Sequence, residues 1–99
     1  MSYQLREATL ADLEKIMVLE EASFGSDAWS KANMKSEILA PHTFYLVAEE
    51  SDALIGYAGL SKLAKSNISD IQTIAVSETE RGRGIGRELM KSLLAIAID

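Results

Sequence analysis

The alternation of apolar and polar residues along the chain predicts four strands. Runs rich in β-branched and aromatic residues are YQLREA near the N-terminus, TFYLVAEE at 43–50, ALIGYAGLSKL at 53–63 and SDIQTIAV at 69–76. The polar pair Ser51 and Asp52 is typical of a hairpin turn between the second and third runs. AKSN at 64–67 separates the third run from the fourth.

Apolar residues spaced three and four apart predict three helices. Thr9 and Asp12 have the spacing of a capping box that opens the first helix, which runs to about Phe24 and is ended by GSD. Ser30 is suited to cap the second, and Pro41 ends it because the residue before a proline avoids helical angles. The third helix follows a loop rich in glycine and arginine, and its apolar side consists of Leu89, Met90, Leu93, Leu94 and Ala97.

The predicted order of elements is β-α-α-β-β-β-α, within a single domain that spans residues 1–99. Consecutive strands favour antiparallel pairing, and a strand followed by a glycine-rich helix start resembles a crossover unit. The predicted fold class is α/β, an α+β sandwich in which helices flank a mixed, mainly antiparallel sheet. A crossover helix normally leads to a further parallel strand, which we expect beyond Asp99.

Composition excludes several classes of protein. The chain has no cysteine and a formal net charge of -5, so neither a disulfide framework nor a cysteine-based metal site is expected. The net negative charge disfavours a protein that binds nucleic acid or an anionic membrane. We expect neither a membrane span nor a signal sequence, because no apolar run approaches ~20 residues and MSYQLREATL lacks the basic and apolar regions of a signal peptide. We expect a cytoplasmic protein without a nucleic-acid or membrane partner, and the lone His42 indicates no metal site.

Positive charge is concentrated where the third helix begins. Three arginines alternate there with three glycines, in the order Arg81, Gly82, Arg83, Gly84, Gly86 and Arg87. The helix dipole disfavours cations at that end. Glycines let the backbone approach a ligand, and the free N–H groups of a helix start bind anions. The pattern predicts a phosphate or pyrophosphate site with charge-assisted bonds from arginine; the alternative is a loose loop with solvated arginines.

Two common phosphate loops fit the pattern poorly. A Walker A loop requires a lysine and then a serine or threonine, and this loop has no lysine at that place. A dinucleotide fingerprint that starts at Gly82 requires a glycine where Arg87 stands. A nucleotide triphosphatase and a dinucleotide-binding domain are therefore disfavoured.

RGRGIG at 81–86 resembles the R-x-x-G-x-G pyrophosphate loop of the GNAT superfamily of acetyl-coenzyme A-dependent N-acetyltransferases. It follows IQTIAV, which resembles the fourth strand of that family. FGSDAWS at 24–30 and FYLVAEESDALIGYAGL at 44–60 are similar to the RimI-type branch, which acetylates the N-terminal alanine of a small-subunit ribosomal protein. The resemblance covers nearly the whole chain and implies acetyl-CoA as acetyl donor and a protein N-terminus, such as that of a ribosomal protein, as acceptor.

The resemblance also implies which residues bind the cofactor. The backbone of Ile74, Ala75 and Val76 would bond the pantetheine arm as an added strand does, and a bulge near this point would turn an amide towards the thioester carbonyl. Main-chain N–H groups of the loop would hold the pyrophosphate. The implied loop consists of Arg81, Gly82, Arg83, Gly84, Ile85, Gly86 and Arg87.

Candidates for acceptor binding and catalysis come from the same resemblance. Asp70, at the head of the fourth strand, is the candidate base, and a solvent-facing aspartate is the alternative. Trp29 lies in the segment that borders the acceptor groove in this family and is equally expected as a core anchor. Phe24 is expected in the core. Most acidic residues are expected on a solvated surface, namely Glu14, Glu20, Glu21, Glu49, Glu50, Asp52, Glu78 and Glu80.

The end of the family's domain bears on activity. RimI-type enzymes are expected to use an acidic residue on a fifth strand and a tyrosine on the next helix, both beyond Asp99. The chain is then a shortened product of an enzyme gene, or one of two copies that pair as a homodimer through the open edge of the fourth strand, or an acetyl-CoA-binding module without turnover. The favoured interpretation is an N-acetyltransferase acting on a protein N-terminus, with a small-molecule amine as the alternative acceptor.

Overall fold

A computed structural model describes residues 3–62 and 69–98, with side chains for 3–62 and 70–97. The strands are β1 (Gln4–Glu7), β2 (Thr43–Glu50), β3 (Ala53–Lys62) and β4 (Ser69–Val76), and the helices are α1 (Leu13–Phe24), α2 (Lys31–Leu39) and α3 (Ile85–Ile98). Short 3-10 turns occupy Leu10–Asp12, Gly25–Asp27 and Glu78–Glu80. The predicted order of elements is confirmed over this part of the chain, and the AKSN segment lies outside the described residues.

The strands form one antiparallel sheet in the order β1-β2-β3-β4. A single row across it pairs Arg6 with Val47, Val47 with Tyr57, and Tyr57 with Ala75. The expected mixed character depends on a parallel strand after α3, which is not among the described elements. Within the described part of the chain β4 pairs with β3 alone, so its other edge is open.

The hairpin between β2 and β3 turns at Ser51 and Asp52, as predicted. Both residues have positive φ, 50° and 68°. Two consecutive positive φ values define the tight turn whose twist matches antiparallel strands. The turn leaves Glu49 and Glu50 at the end of β2, with their side chains on opposite faces of the sheet because strand residues alternate.

α1 and α2 cover one face of the sheet. The predicted capping box is present between Thr9 and Asp12, and the Ser30 hydroxyl accepts the Asn33 N–H at 3.1 Å at the start of α2. The two helices pack a buried apolar cluster against the strands, consisting of Leu13, Ile16, Met17, Leu19, Met34, Tyr45, Val47, Tyr57 and Ala75. The half-buried Trp29 packs against this cluster, which holds the connection between α1 and α2 beside the sheet.

α3 covers the opposite face of the sheet. Its buried residues Ile85, Leu89 and Leu93 recur at helical spacing and pack on the strands. Gly56 of β3 permits close contact, because a Cβ there would lie 3.3 Å from Ile85 Cγ2. Full burial of one leucine contributes about 2–3 kcal/mol relative to exposure, so the start of α3 is held firmly against the end of β4.

Two predicted apolar positions are more exposed than expected. Phe24, expected in the core, is the last residue of α1 and is 38% exposed. Leu94, expected on the apolar side of α3, is 48% exposed. Leu94 follows the buried Leu93 directly. Because consecutive helical residues point about 100° apart, only one of these two side chains faces the sheet.

Candidate functional site

The loop between β4 and α3 contains two glycines with left-handed backbone angles. Gly82 and Gly84 have positive φ, 91° and 81°, whereas Arg83 between them does not. Left-handed angles strain most residues with a Cβ, so glycine is favoured at both positions. Alternating right-handed and left-handed residues form a concave array of N–H groups, and the first N–H groups of α3 extend that array.

A broad groove of about 1050 Å³ lies over this loop. Its lining combines the loop with the N-terminal strand and the last residue of β4, and includes Tyr3, Leu5, Val76, Glu80, Arg81, Gly82, Arg83, Gly84, Ile85, Gly86, Arg87 and Glu88. Residues 81–87 are therefore brought together in one groove, although Ile85, Gly86 and Arg87 form the first turn of α3 and are not loop. Ile74 and Ala75, which were also predicted to bind the cofactor, are not in its lining. Pockets for drug-sized ligands and cofactors commonly have volumes of about 300–1,000 Å³, so the groove accommodates a molecule of that size.

The three loop arginines have different environments. Arg83 is held by two carboxylates, with its guanidinium 2.9 Å and 3.1 Å from the Glu50 oxygens and 2.6 Å from Glu80 Oε1. It also lies over the Tyr3 ring, 5.5 Å from the ring centroid. Arg81 and Arg87 are exposed, and Arg81 Nε donates to the Val76 carbonyl at 3.2 Å.

The ion pairs of Arg83 explain why part of the positive charge is tolerated at the start of α3. Glu50, and then Glu80, raise the pKa of the Arg83 guanidinium above its ordinary value by accepting hydrogen bonds from the charged form. Arg83 thereby joins the loop to the end of β2. The exposed Arg81 and Arg87 retain charge that faces solvent at the groove, where a bound anion would meet it.

β4 contains a bulge at Gln72. Leu60 pairs with Ile71 and Gly59 with Thr73, so Gln72 is the extra residue. The Tyr45 hydroxyl donates to the Gln72 side-chain oxygen at 2.8 Å. The bulge lies two residues before the backbone segment 74–76 that is expected to bind the pantetheine arm.

A second, smaller groove runs along the open edge of β4 on the α1 and α2 face. It has a volume of about 320 Å³ and is lined by Glu20, Phe24, Asp27, Trp29, Ile71, Gln72, Thr73 and Ile74. Trp29, the predicted acceptor residue, therefore lies beside β4. Asp70, the predicted base, is exposed and is not among the lining residues.

Glu20 is a site residue that the sequence analysis assigned to the solvated surface, and the structure corrects that assignment. Its side chain is 1% exposed. The carboxylate accepts from the Tyr57 hydroxyl, from Thr73 Oγ1 at 3.4 Å and from the Trp29 N–H at 2.9 Å. Burial, and then this contact with Glu20, raise the pKa of Tyr57 above its ordinary value.

A helical signal for the position of Glu20 is present in the sequence. Leu13, Ile16 and Met17 are buried on one stripe of α1, and Glu20 follows at the next helical spacing on that stripe. Glu49, Glu50 and Glu80 also depart from the expected solvated surface, because each is half-buried and paired with an arginine. Tyr3 was missed because its contact with Arg83 joins distant parts of the chain.

The described residues contain neither a metal site nor a membrane-spanning helix. No group of three or more His, Cys, Asp or Glu side chains in residues 3–62 and 69–98 is arranged to hold a metal ion. Among the helices of that part of the chain, none has the length and apolar content needed to cross a membrane.

Comparison with protein families decides the family of this chain. The sequence pattern of the acetyltransferase (GNAT) family matches residues 10–99. The chain belongs to the GNAT acetyltransferase family. This GNAT chain is 38% identical over 92 residues to the N-alpha-acetyltransferase RimI of Mycobacterium tuberculosis, an alignment that covers 90% of the chain and 58% of that protein. It is 30% identical to a putative ribosomal-protein-alanine N-acetyltransferase of Bacillus subtilis, covering 93% of the chain and 60% of that protein.

Solved structures share the GNAT fold of this chain. The PaiA N-acetyltransferase of Thermoplasma acidophilum, solved in complex with coenzyme A, has a TM-score of 0.83 at 18% identity, covering 98% of this chain and 72% of its own. The ribosomal-protein-alanine N-acetyltransferase of Escherichia coli has a TM-score of 0.83 at 16% identity, covering 96% and 59%. At these identities the likeness concerns the fold. The chain thus spans about three fifths of the length of the curated relatives described above.

Proposed function

We propose that this GNAT chain binds acetyl-CoA and forms the corresponding part of an N-acetyltransferase that acts on a protein N-terminal amine. The observation that carries the proposal is the loop before α3. Two left-handed glycines and the start of a helix line a groove at the end of β4, within the region matched to the acetyltransferase family. This arrangement suits a pyrophosphate, because backbone N–H groups and the helix dipole both favour an anion there.

Residue roles follow from position along β4 and in the groove over the loop. The backbone of Ile74, Ala75 and Val76, next to the open edge of β4, would pair with the pantetheine arm. The N–H groups from Gly82 to Arg87 would hold the pyrophosphate, with Arg81 and Arg87 adding charge. Arg83 would hold the conformation of the loop through its ion pairs with Glu50 and Glu80. It would therefore contribute less to direct phosphate contact than the other two arginines.

Acetyl-CoA, when bound, supplies an acetyl group activated as a thioester. In the transfer, the acceptor nitrogen bonds to the carbonyl carbon, the carbon–sulfur bond breaks, the amine loses a proton and the sulfur gains one. Asp70 remains our predicted base, although it lies six residues before Val76, roughly 20 Å along the strand. If Asp70 takes the proton, Asp70→Asn slows transfer and leaves acetyl-CoA affinity unchanged.

The names of the relatives support a protein N-terminus as the acceptor. Two matched proteins are an N-alpha-acetyltransferase and a putative ribosomal-protein-alanine acetyltransferase. The groove beside Trp29 is open at β4 and has the exposed carboxylate of Asp27 in its lining, which favours a cationic amine. We propose a ribosomal protein in the cytoplasm as the partner. The alternative occupant of the open edge of β4, in place of the pantetheine arm, is a second copy of the chain; a monomeric mass in light scattering would contradict that pairing.

The cofactor site is tested by thermal unfolding with and without acetyl-CoA. Ligand at about 100 times its dissociation constant adds roughly 2.7 kcal/mol of stability. Gly84→Glu should abolish the shift, because it strains a left-handed position and places a negative charge in the loop. Gly25→Glu is the matched control, since Gly25 also has positive φ and open space but lies outside the loop. An unchanged shift in Gly84→Glu, or no shift in the parent, contradicts the proposal.

Turnover is tested separately from binding. A peptide with a free N-terminal alanine, incubated with the chain and acetyl-CoA, should gain one acetyl group by mass spectrometry. The same peptide already acetylated at its N-terminus is the control and should not react. Binding of acetyl-CoA without acetylation would support the binding module instead.

A further inference from the structure

Glu20 links four parts of the fold at one point. The carboxylate belongs to α1, and its three donors come from β3, from β4 and from the connection that precedes α2: the Tyr57 hydroxyl, the Thr73 hydroxyl and the Trp29 N–H. A buried carboxylate needs such donors, because leaving its oxygens unsatisfied costs free energy. The donors divide between the two oxygens, with both hydroxyls on Oε1 and the Trp29 N–H on Oε2.

The same carboxylate borders the groove at the open edge of β4. One wall of that groove is formed by Phe24 at the end of α1 and by Asp27 and Trp29 in the connection that follows, and the other is the β4 segment 71–74. The Glu20 contacts with Trp29 and Thr73 join these walls directly. A change in the length of this side chain therefore alters the width of the groove.

We infer that Glu20 is a positioning residue that sets the acceptor groove by fixing the Trp29 backbone against β4. The inference rests on the proposed function for the nature of the acceptor. Direct binding of the acceptor's ammonium by Glu20 is the rival explanation. The geometry favours positioning, because Glu20 is 1% exposed and each of its oxygens already accepts a hydrogen bond.

Two conservative variants distinguish the effect of the length of the Glu20 side chain, which is its reach, from the effect of its charge. Glu20→Gln keeps the length of the side chain: its amide oxygen accepts the Trp29 N–H, and its amide nitrogen donates to the hydroxyls of Tyr57 and Thr73, which are able to accept. Glu20→Asp keeps the charge but is one methylene shorter, so it does not reach Trp29 and Tyr57 together. Positioning requires reach, whereas ammonium binding requires charge.

Trp29 is the only tryptophan in the sequence, so its fluorescence reports on the groove directly. The probe is a peptide with a free N-terminal alanine, titrated by Trp29 emission, and acetyl-CoA affinity is measured in parallel by calorimetry. Glu20→Asp should weaken peptide binding about tenfold through loss of a buried hydrogen bond, and Glu20→Gln by no more than about twofold. Acetyl-CoA affinity should stay within about twofold in both variants, because the phosphate loop lies on the other face of the sheet.

Several results would overturn the inference. Glu20→Gln binding the peptide as weakly as Glu20→Asp, or more weakly, would show that charge matters more than reach. Parental affinity in Glu20→Asp would show that the groove does not depend on Glu20. An equal loss of peptide and acetyl-CoA affinity in Glu20→Asp would indicate a general effect on the fold.

A ligand-free measurement keeps this inference separate from the proposed function. Amide hydrogen exchange at Trp29 should be slow in the parent and in Glu20→Gln, and faster in Glu20→Asp, because only the shorter side chain releases that N–H. The same exchange rate in all three proteins would overturn the inference. Absence of acetyl-CoA binding in the parent would contradict the proposed function. The exchange measurement needs no ligand, so it would still decide whether Glu20 fixes the Trp29 backbone.

Discussion

The two faces of the sheet form their grooves with different parts of the chain. On the α3 face, the groove is formed around the main chain of a loop, in which left-handed Gly82 and Gly84 set the path. On the α1 and α2 face, the groove depends on side chains, with Glu20 held by hydroxyl groups from two strands. A main-chain site needs glycines that are close in sequence, whereas a side-chain site needs partners that only the fold brings together.

Two adjacent residues at the β2–β3 hairpin make contacts on opposite faces of the sheet. Glu49 pairs with Arg6, which also holds Asp12 at the start of α1, and Glu50 pairs with Arg83 in the loop before α3. Two neighbouring carboxylates thus secure opposite layers of the fold. Substitutions on one face should therefore leave the other face largely unaffected.

The largest expected effect concerns the packing that holds α3 to the sheet. Leu89 is 0% exposed, so Leu89→Ala should lower the free energy of unfolding by about 4 kcal/mol through lost burial and a residual cavity. Urea denaturation measures the change. Leu94→Ala on the same helix is the control, because Leu94 is 48% exposed, and should cost less than about 0.5 kcal/mol. Equal losses in the two variants would contradict the described orientation of α3.

A somewhat smaller effect is expected on the other face at Gly59. A Cβ at this position would lie 2.3 Å from the ring of the buried Tyr45, whose hydroxyl holds the Gln72 side chain in the β4 bulge. Gly59→Ala should therefore cost about 2–3 kcal/mol by forcing the ring to move, as measured by urea denaturation.

Gly86→Ala is the matched control for Gly59→Ala. A Cβ at Gly86 meets its nearest neighbour, Val76, at 3.7 Å, and alanine favours the helix that Gly86 occupies. This variant should be neutral or more stable. A loss of stability in Gly86→Ala as large as that in Gly59→Ala would indicate that both faces are equally intolerant of a methyl group.

Much of the fold was predictable from local signals. The capping box at Thr9, the cap at Ser30 and the turn at Ser51 and Asp52 each depend on residues within a few positions of one another. The loop before α3 was predictable for the same reason, since its glycines are nearly adjacent. The separation of exposed Leu94 from buried Leu93 depends on how α3 is rotated against the sheet, which the pattern alone left ambiguous.

The polar contacts between elements were harder to predict. Glu20, Tyr57 and Thr73 are widely separated in the chain, and their hydrogen bonds depend on the pairing of strands and the position of α1. Arg83 was expected to face an anion, but its pairing with Glu50 depends on the hairpin reaching the loop. Composition classed these carboxylates as surface groups, and burial changed their environment.

A moderate, pH-dependent effect is expected at Asp12. The bidentate contact with Arg6, at 2.8 and 2.9 Å, holds the pKa of Asp12 below its ordinary value. A depressed folded pKa stabilises the fold above the unfolded pKa of about 3.9, and this contribution is lost as pH falls through the folded value. Asp12→Asn should cost about 1–2 kcal/mol at pH 7, and less in acid, in urea titrations at several pH values.

Glu21→Gln is the control for Asp12→Asn. Glu21 is exposed on α1, so its substitution should change stability by less than about 0.5 kcal/mol. A gap between the parent and Asp12→Asn that is constant from pH 7 to acid would contradict a contribution from the Arg6 pairing. Acetyl-CoA affinity should be unchanged in both variants, because the affected contacts lie on the α1 face.

The smallest expected effect is a gain of stability at the turn that separates Glu50 from β3. Asp52 has a φ of 68°, which strains a residue with a Cβ, and its carbonyl accepts from Lys15 Nζ at 2.9 Å. Asp52→Gly relieves the strain and retains that carbonyl, so the free energy of unfolding should rise by about 0.5–1 kcal/mol. Asp52→Ala is the control and should show no gain, because alanine keeps the strained Cβ. Since the turn belongs to neither groove, Asp52→Gly should leave both acetyl-CoA and peptide affinity unchanged; a change in only one affinity would show that the hairpin transmits its conformation to that face alone.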